Sequence, residues 1–330
     1  MDKSTWNPAT LLQLSGNYWS TCALHAGVKL DLFSHTGTLS ELATATESNT
    51  RGLGMLLNAL TALELLEKKG DIYSPTPFSS EFLSKTSPRY LGYIILHHHH
   101  LMEGWAHLDA SVQSGLPLRG RVSHDADASE RESFEMGMFN LAMLNAPKIV
   151  PQIDLHGKRR LLDLGGGPGT YACHFCQAHP ELTATVYDLA TTRPFAEKTI
   201  NSFALGDRIT FTAGDFISDD LPHGFDVAWL SHILHGEGPE GCAIILQRAV
   251  AALEPGGMLL IQEFILNNSM DGPLFPALFS LNMLLGTTQG QAYAQGELEE
   301  MMRAAGLSSI KRLKVDLPNG AGILIGIVPG

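Results

Sequence analysis

The spacing of apolar residues changes near residue 159. Between Leu11 and about Pro147 they recur at helical intervals, as in Leu53, Leu56, Leu57, Leu60, Leu63 and Leu66, the three-and-four spacing that gives a helix one apolar face. Glu64–Gly70 reads as a helix end, closed by two lysines and a glycine, and Asp71–Pro77 as a short extended segment rich in turn residues. Helices followed by such a wing predict a winged-helix-like unit, and no run here is long enough to build a sheet of its own. From Arg159 onward, short apolar runs at 160–164, 183–189, 209–215, 225–231, 257–265, 309–316 and 321–328 alternate with helical stretches. Such alternation predicts an α/β domain with a parallel sheet. The expected division is 1–147 and 148–330. Gly115–Arg131, with Pro117, Gly120, Ser123, Asp125, Asp127 and Ser129, reads as an exposed loop.

One turn carries the chemistry. The strand Leu161–Leu164 runs into Gly165-Gly-Gly-Pro-Gly169, and Thr170 onward opens a helix. Glycines at the carboxyl end of a first strand let the backbone approach a ligand closely. Asp188 closes the next strand 19 residues after Gly169, where a carboxylate can accept hydrogen bonds from ribose hydroxyls. The dinucleotide pattern Gly-x-Gly-x-x-Gly is not met, because Thr170 stands where its third glycine belongs.

Charge narrows the partners. The chain has 330 residues, 22 Lys or Arg against 34 Asp or Glu, a net of −12. Residues 1–160 hold 14 basic and 16 acidic residues, leaving 8 and 18 for the remainder. Neither half offers a nucleic-acid backbone a basic stripe. No apolar run reaches the ~18 residues a membrane helix needs. The opening Met1–Pro8 lacks a charged segment followed by an apolar stretch, so no secretory signal is expected, and four cysteines in a chain of this length predict reduced thiols in the cytoplasm.

With these motifs in view, the sequence resembles the class I S-adenosylmethionine-dependent methyltransferases, in particular the small-molecule O-methyltransferase family typified by caffeate and acetylserotonin O-methyltransferases. Asp163–Gly169, Tyr187-Asp188-Leu189, Gly214-Asp215-Phe216, Leu234-His235 and Leu253–Gly257 carry the resemblance in the second half. Leu30–Phe33, Glu41–Ala43, Leu56–Leu60 and Tyr73–Thr76 carry it in the first. It implies a Rossmann-like, mostly parallel seven-stranded sheet behind an N-terminal, mainly helical winged-helix-like domain used for homodimerisation, with no nucleic-acid or membrane partner. S-adenosylmethionine would be the cofactor, held by Asp163, Gly165, Gly167, Gly169, Asp188, Leu189, Asp215, Phe216 and Ser231. His235 would be the general base, oriented by Glu263, and Met138, Phe139, His232, Phe279, Asn282 and Met283 would line the pocket of a small, aromatic acceptor.

That chemistry meets a physical need. Methyl transfer from a sulfonium is an in-line displacement, so donor and acceptor atoms must be held ~3 Å apart while the acceptor loses its proton. An imidazole titrating near ~6.5 is a workable base for a phenol titrating near ~10. Two departures bear on it. The family's His-Asp-Trp is His235-Gly236-Glu237 here, and its Lys-Glu-Arg-Thr-like segment is Gln291-Ala292-Tyr293-Ala294. The resemblance therefore leaves one supporting acid, Glu263, with Ala292 in place of the second and Glu237 as either a substitute or a solvated charge. Non-methylating chemistry on the same fold (hydroxylation, decarboxylation or a pericyclic step) stays open, as does a DNA-binding regulator.

Two metal-like patterns are read otherwise. On a helix, His97–His100 point around most of the circumference, so at most His97 and His100 share a face. Cys173 and Cys176 have no second pair at ligand spacing and read as small packing residues. No metal is expected.

Overall fold

The computed structural model describes residues 6–121 and 126–330; Ser123 and Asp125 of the expected loop lie outside them. Contacts divide the chain into two units, Met1–Leu101 and Met102–Gly330, the boundary falling within the helix Gly92–Ala106.

In the first unit the helices Tyr18–Lys29, Leu39–Ala45 and Thr50–Ala62 surround a core that includes Val28, Leu32, Phe33, Leu57 and Leu60. Thr38 starts the second of these helices with a reciprocal cap, Glu41 Oε2 accepting from Thr38 N at 2.7 Å. A small antiparallel sheet forms here after all. It pairs β1 (Gly37–Thr38), β3 (Ile72–Pro75) and β2 (Leu66–Lys69) in that order. The helix expected to end at Gly70 stops at Ala62. Glu64 turns the chain with φ 59°, and Leu66–Lys69 pairs across a tight turn at Gly70 (φ 62°) with Ile72–Pro75. Leu66 is still buried, but from a strand. Cross-strand pairing has overridden a helical spacing that a strand's inward side chain also satisfies.

The second unit is an α/β sheet in the order β10-β11-β8-β7-β4-β5-β6. Its strands are β4 (Arg160–Leu164), β5 (Thr183–Asp188), β6 (Ile209–Ala213), β7 (Phe225–Ser231), β8 (Leu253–Leu266), β10 (Ser308–Arg312) and β11 (Ala321–Ile327). A two-residue β9 (Tyr293–Ala294) lies beside the end of β8. Strands β4 to β8 are mutually parallel and β11 is antiparallel to both neighbours. The seven-stranded, mostly parallel order matches the expectation. Because β5 and β6 extend to one side of β4 and β7 to the other, the strand order reverses between β4 and β7. Ligands of such sheets bind at the carboxyl ends beside that reversal.

Trp229 of β7 is wholly buried, its ring 5.0 Å from Tyr171 and 5.2 Å from Phe175. Ala142, Ala146 and Ile149 join the same core. The helix Ala128–Ile149 therefore belongs to the sheet's unit, which moves the boundary well before the expected 147/148. That helix begins under an Asp127 cap, so Ser129 and Arg131 of the expected loop are helical. Cys173 and Cys176 are fully buried in the core, and burial pushes their thiols up to about 12 and about 11; all four cysteines are free. Among the described residues no helix is long and apolar enough to cross a membrane.

Candidate active site

The turn after β4 is built from left-handed backbone. Gly165, Gly167 and Gly169 have φ of 67°, 52° and 72°, a region that other residues enter only at a cost. A Cβ on Gly165 would stand 2.3 Å from Ile233 Cδ1, whereas one on Gly167 would meet only Glu135 Oε2, at 3.6 Å. Gly167 thus presents bare backbone to a cradle.

Asp188, at the end of β5, closes that cradle. Its Oδ2 accepts from Gly167 N at 2.8 Å, and its Oδ1 from Leu189 N at 2.7 Å and Thr192 Oγ1 at 3.2 Å. Asp163 is 2 % exposed and lies beneath the turn, accepting from Ala172 N at 3.2 Å, with burial pushing its carboxyl up to about 7. It shapes the turn from below. Phe216 stands beside Gly165, within 3.4 Å of where its Cβ would be. Asp215 is held by local bonds from Ile217 N and the Ser218 hydroxyl. Ser231 ends β7 opposite Gln262 of β8.

Glu135 escaped the sequence reading. It is buried at 4 % exposure and accepts from Thr192 Oγ1 at 3.2 Å, sharing that hydroxyl with Asp188. Burial, then the charge of Asp188, push its carboxyl up to about 8 against the pull of Thr192 and Arg131. The available signal was a carboxylate set between Phe134 and Met136 in the chain.

His235 and Glu263 come together although 28 residues separate them. His235 Nδ1 lies 2.8 Å from Glu263 Oε2, and His235 N donates to Glu263 Oε1 at 3.3 Å. Burial pushes the Glu263 carboxyl up, but the nearby imidazoles, His235 by charge and hydrogen bond and His232 beside it, outweigh it and hold the group below the usual carboxylate range. His232, in left-handed backbone (φ 59°), has its Nδ1 3.6 Å from the same oxygen. His232, His235 and Glu263 offer ligand atoms within 4.8 Å of one another, a grouping able to take a metal ion and not foreseen from spacing. Neither Cys173 and Cys176 nor the His97–His100 run forms such a group among the described residues.

An aromatic wall faces these histidines. The Phe279 ring stands edge-on to His235 at 4.8 Å, and Phe264 lies 4.3 Å from His232 and 4.8 Å from Phe279. Phe279, Asn282 and Met283 share the helix Leu274–Gly286; Met138 and Phe139 are half-buried on the helix Ala128–Ile149. Glu237 does not replace the second acid. Its carboxylate pairs with Arg121 and its carbonyl accepts from Tyr293 Oη at 2.6 Å. Ala292, 1 % exposed, packs with Leu266 and Ala294.

A glycine turn after the first strand, an acid closing the second and an imidazole beyond β7 together define a nucleoside-binding α/β enzyme. The O-methyltransferase domain family matches residues 105–308, and the O-methyltransferase dimerisation domain family matches residues 12–85. The chain belongs to the S-adenosylmethionine-dependent O-methyltransferases. It is 33% identical to the 3-hydroxy-5-methyl-1-naphthoate 3-O-methyltransferase of Streptomyces sahachiroi, over 97% of this chain and 95% of that one. Among solved structures, an O-methyltransferase family protein from Burkholderia thailandensis superposes with a TM-score of 0.87 at 28% identity, covering 99% of both chains. PigF, solved with SAH, superposes with a TM-score of 0.89 at 25% identity, covering 98% of this chain and 100% of that one.

Proposed function

We propose that the protein moves a methyl group from S-adenosylmethionine to a hydroxyl of a small aromatic molecule, with His235 as the general base. The observation that carries this is the 2.8 Å contact between His235 Nδ1 and Glu263 Oε2. It leaves Nε2 as the nitrogen free to take a proton. Glu263 fixes that tautomer and stabilises the imidazolium that forms.

The residues present fit the cofactor. Gly167 gives an open stretch of backbone within the Gly165–Gly169 turn, and Asp188 a carboxylate for ribose hydroxyls, with Leu189, Asp215, Phe216 and Ser231 at the surrounding strand ends. When bound, the cofactor supplies an electrophilic methyl on sulfur. Glu135, whose proton burial and Asp188 hold at neutral pH, is a second carboxyl that a cationic part of the cofactor would draw toward its charged form. Phe279, Met283, Met138, Phe139 and His232 are assigned to the acceptor, whose flat ring the aromatic wall suits. A relative that acts on a naphthoate supports an aromatic acceptor. The dimerisation domain supports a homodimer, and the free cysteines suit the reducing cytoplasm.

Stoichiometric conversion of S-adenosylmethionine to S-adenosylhomocysteine with a phenolic acceptor tests the reading. Tight donor binding with no methylation across a broad phenol panel would overturn it. Sedimentation at micromolar concentration checks the dimer.

A further inference from the structure

The helix Leu274–Gly286 carries Phe279, Asn282, Met283 and Gly286 at intervals of three and four, so they share one face. At one end of this stripe Phe279 meets His235. At the other lies Arg119. Its guanidinium lies directly over Gly286, where a Cβ would come within 2.8 Å of Arg119 Cζ. Only glycine leaves it that seat. Its backbone N bonds Leu285 O at 3.3 Å, and two residues on Arg121 pairs with Glu237, beside His235. The segment Leu118–Arg121 therefore runs along the same side of the helix as the imidazole.

Arg119 is half-buried, and its Nε is buried with no hydrogen-bond partner. Among the described residues no carboxylate lies within ion-pair distance of it. Desolvation lowers its pKa, and the more distant Glu130 offsets this only in part. Asn282 Oδ1, one turn nearer the imidazole, is also buried without a partner. Buried polar groups left unpaired by protein cost free energy, and a guanidinium costs most. Two of them on one helix face, in line with the base, mark places that a ligand's polar groups complete.

We infer that Arg119 is the anion-recognition point of the acceptor pocket, and that the acceptor is an aromatic hydroxy acid. The carboxylate would lie on Arg119, roughly 10 Å along the helix from the hydroxyl at His235, the rise of seven residues. A planar fork matches a carboxylate with two parallel hydrogen bonds, which a neutral ester cannot reproduce. The inference rests on the proposed function for the placement of the acceptor. The methionyl carboxylate of the donor offers the same chemistry, and the test separates the two.

Calorimetry would compare a hydroxybiphenyl carboxylate, its two groups at opposite ends, with its methyl ester. The binding partners are the whole protein and its Arg119→Gln and Gly286→Ala variants, each checked for an unchanged melting temperature. The acid is expected to bind about tenfold or more tighter than the ester to the unaltered chain, one charge-assisted pair. Arg119→Gln should abolish that preference while leaving S-adenosylhomocysteine affinity intact. Gly286→Ala, which keeps the charge but takes its seat, should weaken the preference too. Equal binding of acid and ester to the unaltered chain overturns the inference. So does a loss of S-adenosylhomocysteine affinity in Arg119→Gln, which would assign the guanidinium to the donor. A preference for the acid without any methylation would instead count against the proposed function alone.

Discussion

One oxygen of Glu263 serves two imidazoles: Oε2 lies 2.8 Å from His235 Nδ1 and 3.6 Å from His232 Nδ1. Only the first is a hydrogen bond by distance. Ala292 is buried where the resemblance places another acid, so among the described residues Glu263 is the one carboxylate bonded to His235, the proposed base. His235→Ala should lower kcat about 10²–10⁴-fold, the usual worth of a positioned base, with little change in donor Kd. Glu263→Gln keeps the shape but loses the charge, so it should lower kcat by a smaller factor and shift the pH–rate profile. Unaltered turnover in His235→Ala would remove it from the mechanism.

Glu237 supplies the contrast. It follows His235 by two residues, yet its carboxylate is held by Arg121. A half-buried pair of this kind is worth roughly 1 kcal/mol or less. Glu237→Gln should therefore cost little stability and leave the pH–rate profile in place; a profile displaced as in Glu263→Gln would mean that Glu237 reaches the base.

Stability should decline from neutral to mildly alkaline pH. Glu135 and Asp163 titrate at about 8 and about 7 in the fold, against ~4.3 and ~3.9 in an unfolded chain. Between those values the folded chain holds protons that the unfolded chain has released, so unfolding gains ground as pH rises. Glu263 acts in the opposite sense, its contribution being present above ~4.3 and lost only as pH falls toward its depressed value. Above ~6.5, where the buried and neutral His25 no longer works in the opposite sense, urea midpoints should fall from about pH 7 to about pH 9, and Glu135→Gln should flatten that slope.

Two glycines separate strain from collision. Gly70 and Gly165 both have left-handed φ, but a Cβ on Gly70 meets nothing within 4 Å while one on Gly165 strikes Ile233. Gly70→Ala should cost about 1–2 kcal/mol, and Gly165→Ala more, together with a large loss of S-adenosylhomocysteine binding. Equal costs by denaturant titration, with donor binding preserved, would show that the cradle yields to a methyl group.

Chelation is expected to leave turnover unchanged, because Glu263 Oε2 already holds the imidazole. A rate abolished by dialysis against a strong chelator and restored by a divalent ion would transfer the chemistry to a metal on His232, His235 and Glu263.

Much of the fold was legible in the chain, because a buried parallel strand must be a short apolar run and a tight ligand turn must be glycine. The observed strands 160–164 and 225–231 coincide with their apolar runs, and Gly165, Gly167 and Gly169 take the left-handed angles that their residue type alone permits cheaply. Leu66 was misread since a helix and a two-residue-period strand can both bury it. The division at 147 failed because a helix does not declare in its own residues which core it will join; Ala142, Ala146 and Ile149 joined the sheet.

Sequence by itself determined the alternation of strands and helices, the glycine turn with its acid and, through its motifs, the family. Tertiary structure alone decided which distant groups meet. Glu237, two residues from His235, faces an arginine, and Glu263, 28 residues away, faces the imidazole. Glu135 beside Asp188 and Arg119 over Gly286 are likewise products of packing. The physical reason is that local sequence sets backbone conformation, whereas a side chain's charge state and partner depend on burial and on groups that only the folded sheet brings within a few ångströms.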